Sequence, residues 1–137
     1  MPVIVEPRYD VADLETDLLR VYEDFPGRTA PECLDAIRTA LRSGGVFYTG
    51  TFNGKQVAGA LVSGPADARQ VSLVAVRAAT RRRGVAVRLV DEVARLEQLT
   101  GARELLIEAD GDAERVLMRS GFARTTAGPL RKPLSAG

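Results

Sequence analysis

The feature that most restricts the fold is a strand-like segment that leads into an amphipathic helix. Residues 71–76 form an apolar run of the length expected for a strand buried on both faces of a sheet. After a basic turn, apolar residues recur at the spacing of one helix face, at Val85, Leu89, Val93 and Leu96. Because a strand buried on both faces needs other elements to cover it, the sequence predicts a layered, mixed α/β fold.

The other predicted strands flank this unit. They comprise residues 3–5, 46–52, 56–63 and 104–109, with a final extended segment from Gly121 towards Leu130. Asn53-Gly54 lies between two of these strands and is typical of a two-residue hairpin turn, because both turn positions favour positive φ. The residues from Pro129 onward are predicted to be a loosely held end.

Three further helices are predicted. Asp10 is the expected N-cap of the first, with Asp13 in the position of a capping box. Pro31 suits the first position of the second helix, which ends at residues 43–45, and the last helix covers residues 112–120. Strands and helices thus follow one another along the whole chain, and we expect a single domain over residues 1–137.

Composition narrows the functional class. The chain of 137 residues has 45% hydrophobic and 27% charged residues, which is the balance of a globular protein. Its net charge of +1 predicts no general attraction to nucleic acid or membranes. The longest uncharged stretch, residues 56–66, is about half of the ~20 residues of a membrane span. With no signal sequence and one cysteine, Cys33, expected to be buried, the sequence predicts a cytoplasmic location.

The basic turn and the start of the following helix together predict an anion site. A helix N-terminus leaves about four amides without partners and carries a charge near +0.5. Here these amides belong to Arg83, Gly84, Val85, Ala86 and their neighbours, and Gly84 has no Cβ to keep a bulky anion from the backbone. The small side chain of Ala86 leaves the backbone there nearly as accessible to the anion.

Two other interpretations of this turn stay open. The arginines could form a solvated turn in which Gly84 only relieves backbone strain. They could also contact nucleic acid, although aromatic residues are not interleaved with them and the chain has no tryptophan. A P-loop is excluded, because the sequence contains neither Gly-Lys-Ser nor Gly-Lys-Thr.

The same segment resembles the acetyl-CoA signature of the GNAT family of N-acetyltransferases, in which a strand L-x-V precedes R/Q-x-x-G-x-G/A. The matching residues are Val74, Val76, Arg81, Gly84 and Ala86. A later family pattern, N-x-x-A-x-x-F-Y-x-x-x-G-F, matches in part at Asp110, Ala113, Val116, Leu117, Gly121 and Phe122. The resemblance implies the family fold, which is a mixed, mostly antiparallel central sheet flanked by helices.

Acetyl-CoA is the cofactor that the resemblance implies, and no metal site is expected. The backbone of Val74 and Val76 would pair with the pantetheine arm and help to polarise the thioester. The amides of residues 82–87 would hold the pyrophosphate, with the arginines around it. The implied binding residues are Val74, Ala75, Val76, Thr80, Arg81, Arg82, Arg83, Gly84, Val85, Ala86 and Val87.

Catalysis is less well supported than binding. The tyrosine that acts as the family's general acid is replaced by Leu117, and the chain has no histidine. Glu108 and Asp110 could act as a base through water, or they could be a solvated strand end. Ser72 could only position a water molecule. The catalytic residues therefore stay unknown at this stage.

A narrower resemblance connects the chain to the aspartate decarboxylase maturation factors, which are small GNAT-fold proteins. They share the stretch Val-Arg-x-x-Thr-Arg-Arg-Arg-Gly-Val, here residues 76–85, and a Phe-Asn at the hairpin, here Phe52-Asn53. They also lack the tyrosine, whereas Ala86 and residues 131–137 depart from their pattern. The resemblance implies an acetyl-CoA sensor that binds the decarboxylase precursor and promotes its self-cleavage. A transferase with an unknown amine acceptor and this sensor are the two functions expected.

Overall fold

The computed structural model describes residues 3–134, apart from the side chains of residues 81–83. The strands are β1 (Ile4–Arg8), β2 (Val46–Phe52), β3 (Lys55–Ser63), β4 (Arg69–Val76), β5 (Glu104–Ile107), β6 (Ala123–Arg124) and β7 (Leu130–Pro133). The α-helices are α1 (Glu15–Val21), α2 (Ala30–Arg42), α3 (Val85–Leu99) and α4 (Gly111–Arg119). Three short 3-10 turns occupy Ala12–Leu14, Ala66–Ala68 and Ala78–Arg83.

The seven strands within the described residues form one sheet in the order β1-β2-β3-β4-β5-β7-β6. Neighbouring strands are antiparallel except for β4 and β5, which run parallel. That parallel pair is joined through α3, as a crossover connection requires. The predicted mixed, mostly antiparallel sheet with flanking helices is confirmed.

Each face of the sheet is covered by a separate apolar core. On one face, Leu89 and Val93 of α3 pack with Leu105 of β5, and none of the three is exposed to solvent. On the other face, Leu18 of α1 and Ile37 of α2 are equally buried. Burial of such side chains contributes roughly 1.5–3 kcal/mol each. The two cores hold the sheet between a pair of helical layers.

Several local predictions are confirmed. Asn53 and Gly54 have φ of 52° and 77° and connect β2 to β3. Cys33 is a free, buried thiol in the core beneath α1 and α2. The cap of α2 was not predicted: the Thr29 hydroxyl accepts from Glu32 N, and the Glu32 carboxylate accepts from Thr29 N.

The predicted start of the first helix is wrong. A 3-10 turn precedes α1, which begins only at Glu15. Asp10 accepts a hydrogen bond from Ala12 N at 2.9 Å, but Asp13 pairs with Arg8 at 2.6 Å and does not complete a capping box. A nearby guanidinium is a stronger partner for the carboxylate than a single amide.

The prediction of a loosely held end from Pro129 is also wrong. The final segment forms two strands, and β7 inserts between β5 and β6. Leu130 is 1% exposed and pairs with Ile107, and Leu134 N donates to Arg103 O at 2.8 Å. Because β5 needs a partner on its far side, the end of the chain becomes part of the sheet.

Within residues 3–134, no helix is long and apolar enough to cross a bilayer.

Candidate functional site

The centre of the site is a bulge in β4. Gly59 of β3 pairs with Ala75 and Leu61 pairs with Ser72, so two β4 residues, Leu73 and Val74, lie opposite the single residue between them. Leu73 has φ of +49°, a left-handed conformation that is uncommon for a residue with a Cβ. A bulge of this kind bends its strand and redirects the peptide groups at the extra residue.

Beyond this point β4 and β5 separate. Their parallel pairing covers Arg69 to Val71 on β4 and ends at Ile107 on β5. A cavity of about 440 Å³ opens between them, and helix residues from both α3 and α4 line it. Its lining includes Val71, Ser72, Leu73, Val74, Ala86, Val87, Val90, Ala113, Val116 and Leu117.

A second cavity, of about 530 Å³, adjoins the first across the two separating strands. The two share Phe25, Val71, Ser72, Leu73, Ile107 and Glu108. The second cavity is additionally lined by polar side chains, among them Arg28 and Gln70. No hydrogen bond or ion pair holds the Arg28 or Glu108 side chain to another described residue. The two cavities are therefore connected chambers that share Glu108, and the second adds Arg28 and Gln70 to its walls.

The N-terminus of α3 borders the first chamber. Gly84 has φ of +68°, and a Cβ there would meet no heavy atom within 4 Å, so the backbone is open to solvent on that side. Ala86 is exposed, whereas Val85 is 1% exposed and anchors the helix in the core. An exposed helix N-terminus with small residues fits the diphosphate of a coenzyme A.

Some of the predicted binding residues line the first chamber, and others do not. Val74, Ala86 and Val87 line the first chamber. Thr80 is engaged locally, because its hydroxyl donates to Arg77 O at 3.0 Å. Val76 is buried at the end of β4. The charge predicted for Arg81, Arg82 and Arg83 belongs to side chains outside the described residues.

The chemical groups around the chambers are few. Leu117 lines the first chamber and has no proton to donate. Glu108 and Ser72 are exposed and line both chambers, whereas Asp110 borders only the first of the two. Phe25 and Arg28 were not predicted, because only the tertiary fold brings the α1–α2 connection beside β4, and Gln70 of β4 was not predicted either.

A bulged β4 that separates from a parallel β5 beside a helix N-terminus defines this chain as a protein of the GNAT acetyltransferase fold. A family model described as "Acetyltransferase (GNAT) domain, PanZ" matches residues 8–128. The chain belongs to this family.

Solved structures agree on the fold. The ribosomal-protein-S18-alanine N-acetyltransferase of Escherichia coli aligns with a TM-score of 0.77 and 16% identity, over 98% of this chain and 96% of its own. A GNAT family N-acetyltransferase of Escherichia coli, solved in complex with CoA, aligns with a TM-score of 0.76 and 14% identity, over 97% and 82%.

A third structure, a GNAT family acetyltransferase of Elizabethkingia anophelis with acetyl-CoA bound, aligns with a TM-score of 0.71 and 14% identity, over 96% and 98%. No protein of curated function matches the sequence significantly.

Proposed function

We propose that this protein binds acetyl-CoA in the opening between β4 and β5 and transfers the acetyl group to an amine. The observation that carries the proposal is the pair of connected chambers. One leads from the bulge towards the N-terminus of α3, and the other offers a separate polar space for an acceptor. Two substrates that react must meet, and the shared residues mark the place where these chambers join.

The residues on the α3 side fit the cofactor. The diphosphate would lie against the amides that follow Gly84, with Ala86 leaving room for it. The pantetheine arm would run beside β4 from Val74 to Val76, and Ala75 lies between them. Thr80 and residues 81–83 would border the diphosphate, and the arginines would add positive charge. Acetyl-CoA supplies the activated acetyl group.

The residues near the bulge define what this chain can contribute to transfer. A backbone N–H of the bulge would stabilise the negative charge on the thioester oxygen as the amine attacks. Glu108 would accept the amine proton through a water molecule, since it borders both chambers. The carbon–sulfur bond breaks as the amide forms, and the thiolate takes its proton from water, because Leu117 cannot provide one.

A second function, acetyl-CoA sensing without transfer, is favoured by one observation. The position of the family's acidic tyrosine is held by Leu117, which is 7% exposed and lines the first chamber. The resemblance of residues 76–85 to the aspartate decarboxylase maturation factors implies a role in maturation of the decarboxylase precursor. Asn53, exposed at the β2–β3 turn, is then a candidate contact with that precursor.

Binding is tested with Gly84→Glu. Its carboxylate would occupy the place of the diphosphate, and we expect acetyl-CoA affinity to fall at least about a hundredfold in calorimetry, or roughly 3 kcal/mol. Gly101→Glu is the matched control, because Gly101 also has positive φ and open space around it but lies beyond the opposite end of α3. Unchanged affinity in Gly84→Glu, or an equal loss in both variants, would contradict the proposed site.

Transfer is tested by thiol release with simple amines, polyamines and peptide lysines. We expect turnover that falls in Glu108→Gln while acetyl-CoA affinity stays the same. Tight binding without turnover would reject the transferase and favour the sensor. The sensor in turn requires that the immobilised protein retain the decarboxylase precursor in the presence of acetyl-CoA, and that Asn53→Ala weaken this retention.

A further inference from the structure

We infer that Tyr22 is a positioning residue for the acetyl end of the site, holding the bulge peptide in the orientation that distinguishes acetyl-CoA from CoA. The inference rests on the proposed binding of acetyl-CoA and extends it to a residue of α1's C-terminal end that no sequence pattern marks. Its basis is the contact of Tyr22 with the bulge, together with the packing that surrounds this contact.

The contact joins residues that are distant in the chain. The Tyr22 hydroxyl donates to the Leu73 carbonyl oxygen at 2.6 Å. The Tyr22 side chain is not exposed to solvent, so water does not compete for this bond. Burial also raises the pKa of Tyr22, which keeps the hydroxyl protonated and therefore a donor. The carbonyl of the one left-handed residue in β4 is thus held from the core side.

The planarity of the peptide bond carries this effect to the cleft. In a trans peptide the carbonyl of Leu73 and the N–H of Val74 point in opposite directions. Tyr22 and Leu73 belong to the core beneath α1 and α2, whereas α3 covers the other face of the sheet. The Val74 N–H therefore points away from Tyr22, towards the side from which Ala86 lines the first chamber. Fixing one end of this peptide fixes the other.

The packing around Tyr22 indicates that its position is built into the fold. A Cβ on Gly59 would lie 2.4 Å from Phe47 Cζ and 2.9 Å from the Tyr22 hydroxyl oxygen. The absence of a side chain at Gly59 therefore allows Tyr22 to reach the bulge across β3. The Phe25 ring, whose centroid lies 5.8 Å from that of Tyr22, lines both chambers.

Tyr48→Phe provides a matched control for Tyr22→Phe. Tyr48 is also buried, and its hydroxyl also donates one hydrogen bond, but to Glu97, and it lines neither chamber. Both variants remove one oxygen from a buried tyrosine. Only one of them releases the bulge, so a general loss of stability affects both, whereas a loss of positioning affects Tyr22→Phe alone.

The measurement is the ratio of the dissociation constants for CoA and acetyl-CoA, obtained by calorimetry for the wild type and both variants. We expect the wild type to prefer acetyl-CoA and Tyr22→Phe to lose about tenfold of this preference, the effect of roughly one hydrogen bond. Tyr48→Phe should keep the wild-type ratio. A wild type without preference, an unchanged ratio in Tyr22→Phe, or equal changes in both variants would overturn the inference.

A second measurement needs no variant. In the ¹⁵N-labelled wild-type protein, the Val74 amide proton should shift downfield with acetyl-CoA and much less with CoA. Equal shifts with both ligands would overturn the inference. A wild type that binds neither ligand would instead reject the proposed function, so the two failures are distinguishable.

Discussion

Tyr22 and Tyr48 are both buried and both donate a hydrogen bond, yet they hold two very different regions of the same sheet. The Tyr48 hydroxyl donates to Glu97 Oε2 at 2.5 Å, and Arg69 Nε donates to Glu97 Oε1 at 2.8 Å. Arg69 also donates to Gly64 O at 2.6 Å, and Glu97 is 2% exposed. This cluster joins α3 to β2 and to the first residue of β4, and its side chains line neither of the two chambers.

The region around Tyr22 has the opposite character. The Tyr22 hydroxyl donates to the carbonyl oxygen of Leu73, whose backbone has the strained left-handed conformation. The bulge at Leu73 opens into the two chambers. The start of β4 is thus fixed by paired charges at Arg69, whereas the strand is bent at Leu73. The Arg69 anchor and the strain at Leu73 therefore lie at different points of one strand, and ligands would bind beside the strained point.

The largest expected effect concerns the anchor. Glu97→Ala would leave Arg69 as a largely buried charge without its partner and the Tyr48 hydroxyl without an acceptor. We expect a loss of about 3–5 kcal/mol in the free energy of unfolding, measured by urea denaturation.

Glu92→Ala is the control for this change, because the Glu92–Arg95 pair lies on the same helix but is partly exposed. It should cost no more than about 1 kcal/mol. The comparison would fail if both variants lost the same stability, or if folded Glu97→Ala changed the preference for acetyl-CoA over CoA.

A smaller effect is expected at Gly59. Its replacement by alanine would press a methyl group against Phe47 and Tyr22, and such overpacking costs roughly 1–3 kcal/mol. We expect the change to reduce both thermal stability and the preference for acetyl-CoA, because it displaces the hydroxyl that holds the bulge. A loss of stability with an unchanged preference for acetyl-CoA would contradict this prediction. It would show that the Tyr22 hydroxyl does not control the bulge.

The smallest effect is a dependence on alkaline pH. Burial raises the pKa of Tyr22 and, together with the hydrogen bond to Glu97, the pKa of Tyr48, above the usual value of 10.0. Above that value the unfolded chain releases protons that the folded chain retains, so stability is present below it and is lost as the pH rises. Each tyrosine should contribute about 1.4 kcal/mol per pH unit.

Urea denaturation at increasing pH above neutrality checks this slope. Tyr22→Phe and Tyr48→Phe should each remove about half of the contribution from the two buried tyrosines. If neither substitution changes the slope of unfolding free energy against pH, other groups govern the loss of stability at alkaline pH.

Much of the fold could be predicted from local patterns. Asn53-Gly54 marks the hairpin because its backbone conformation depends on those two residues alone, and the apolar stripe of α3 marks its buried face. Local sequence patterns predicted the structure wrongly where a partner outside the predicted element determines it. Asp13 pairs with Arg8 rather than with the start of α1, and Leu130 becomes part of a strand because β5 lies beside it.

The candidate site also has one part that the sequence predicts and another that it does not. The helix start at Gly84 is encoded by consecutive residues, so the sequence by itself indicates an anion site and the family to which the chain belongs. The bulge at Leu73 and the two chambers have no such signal. The Tyr22 hydroxyl meets the Leu73 carbonyl, in the space that Gly59 leaves, only after the sheet has formed. Local propensities act within a few residues, whereas the strained conformation of Leu73 is held by a residue that is distant in the chain.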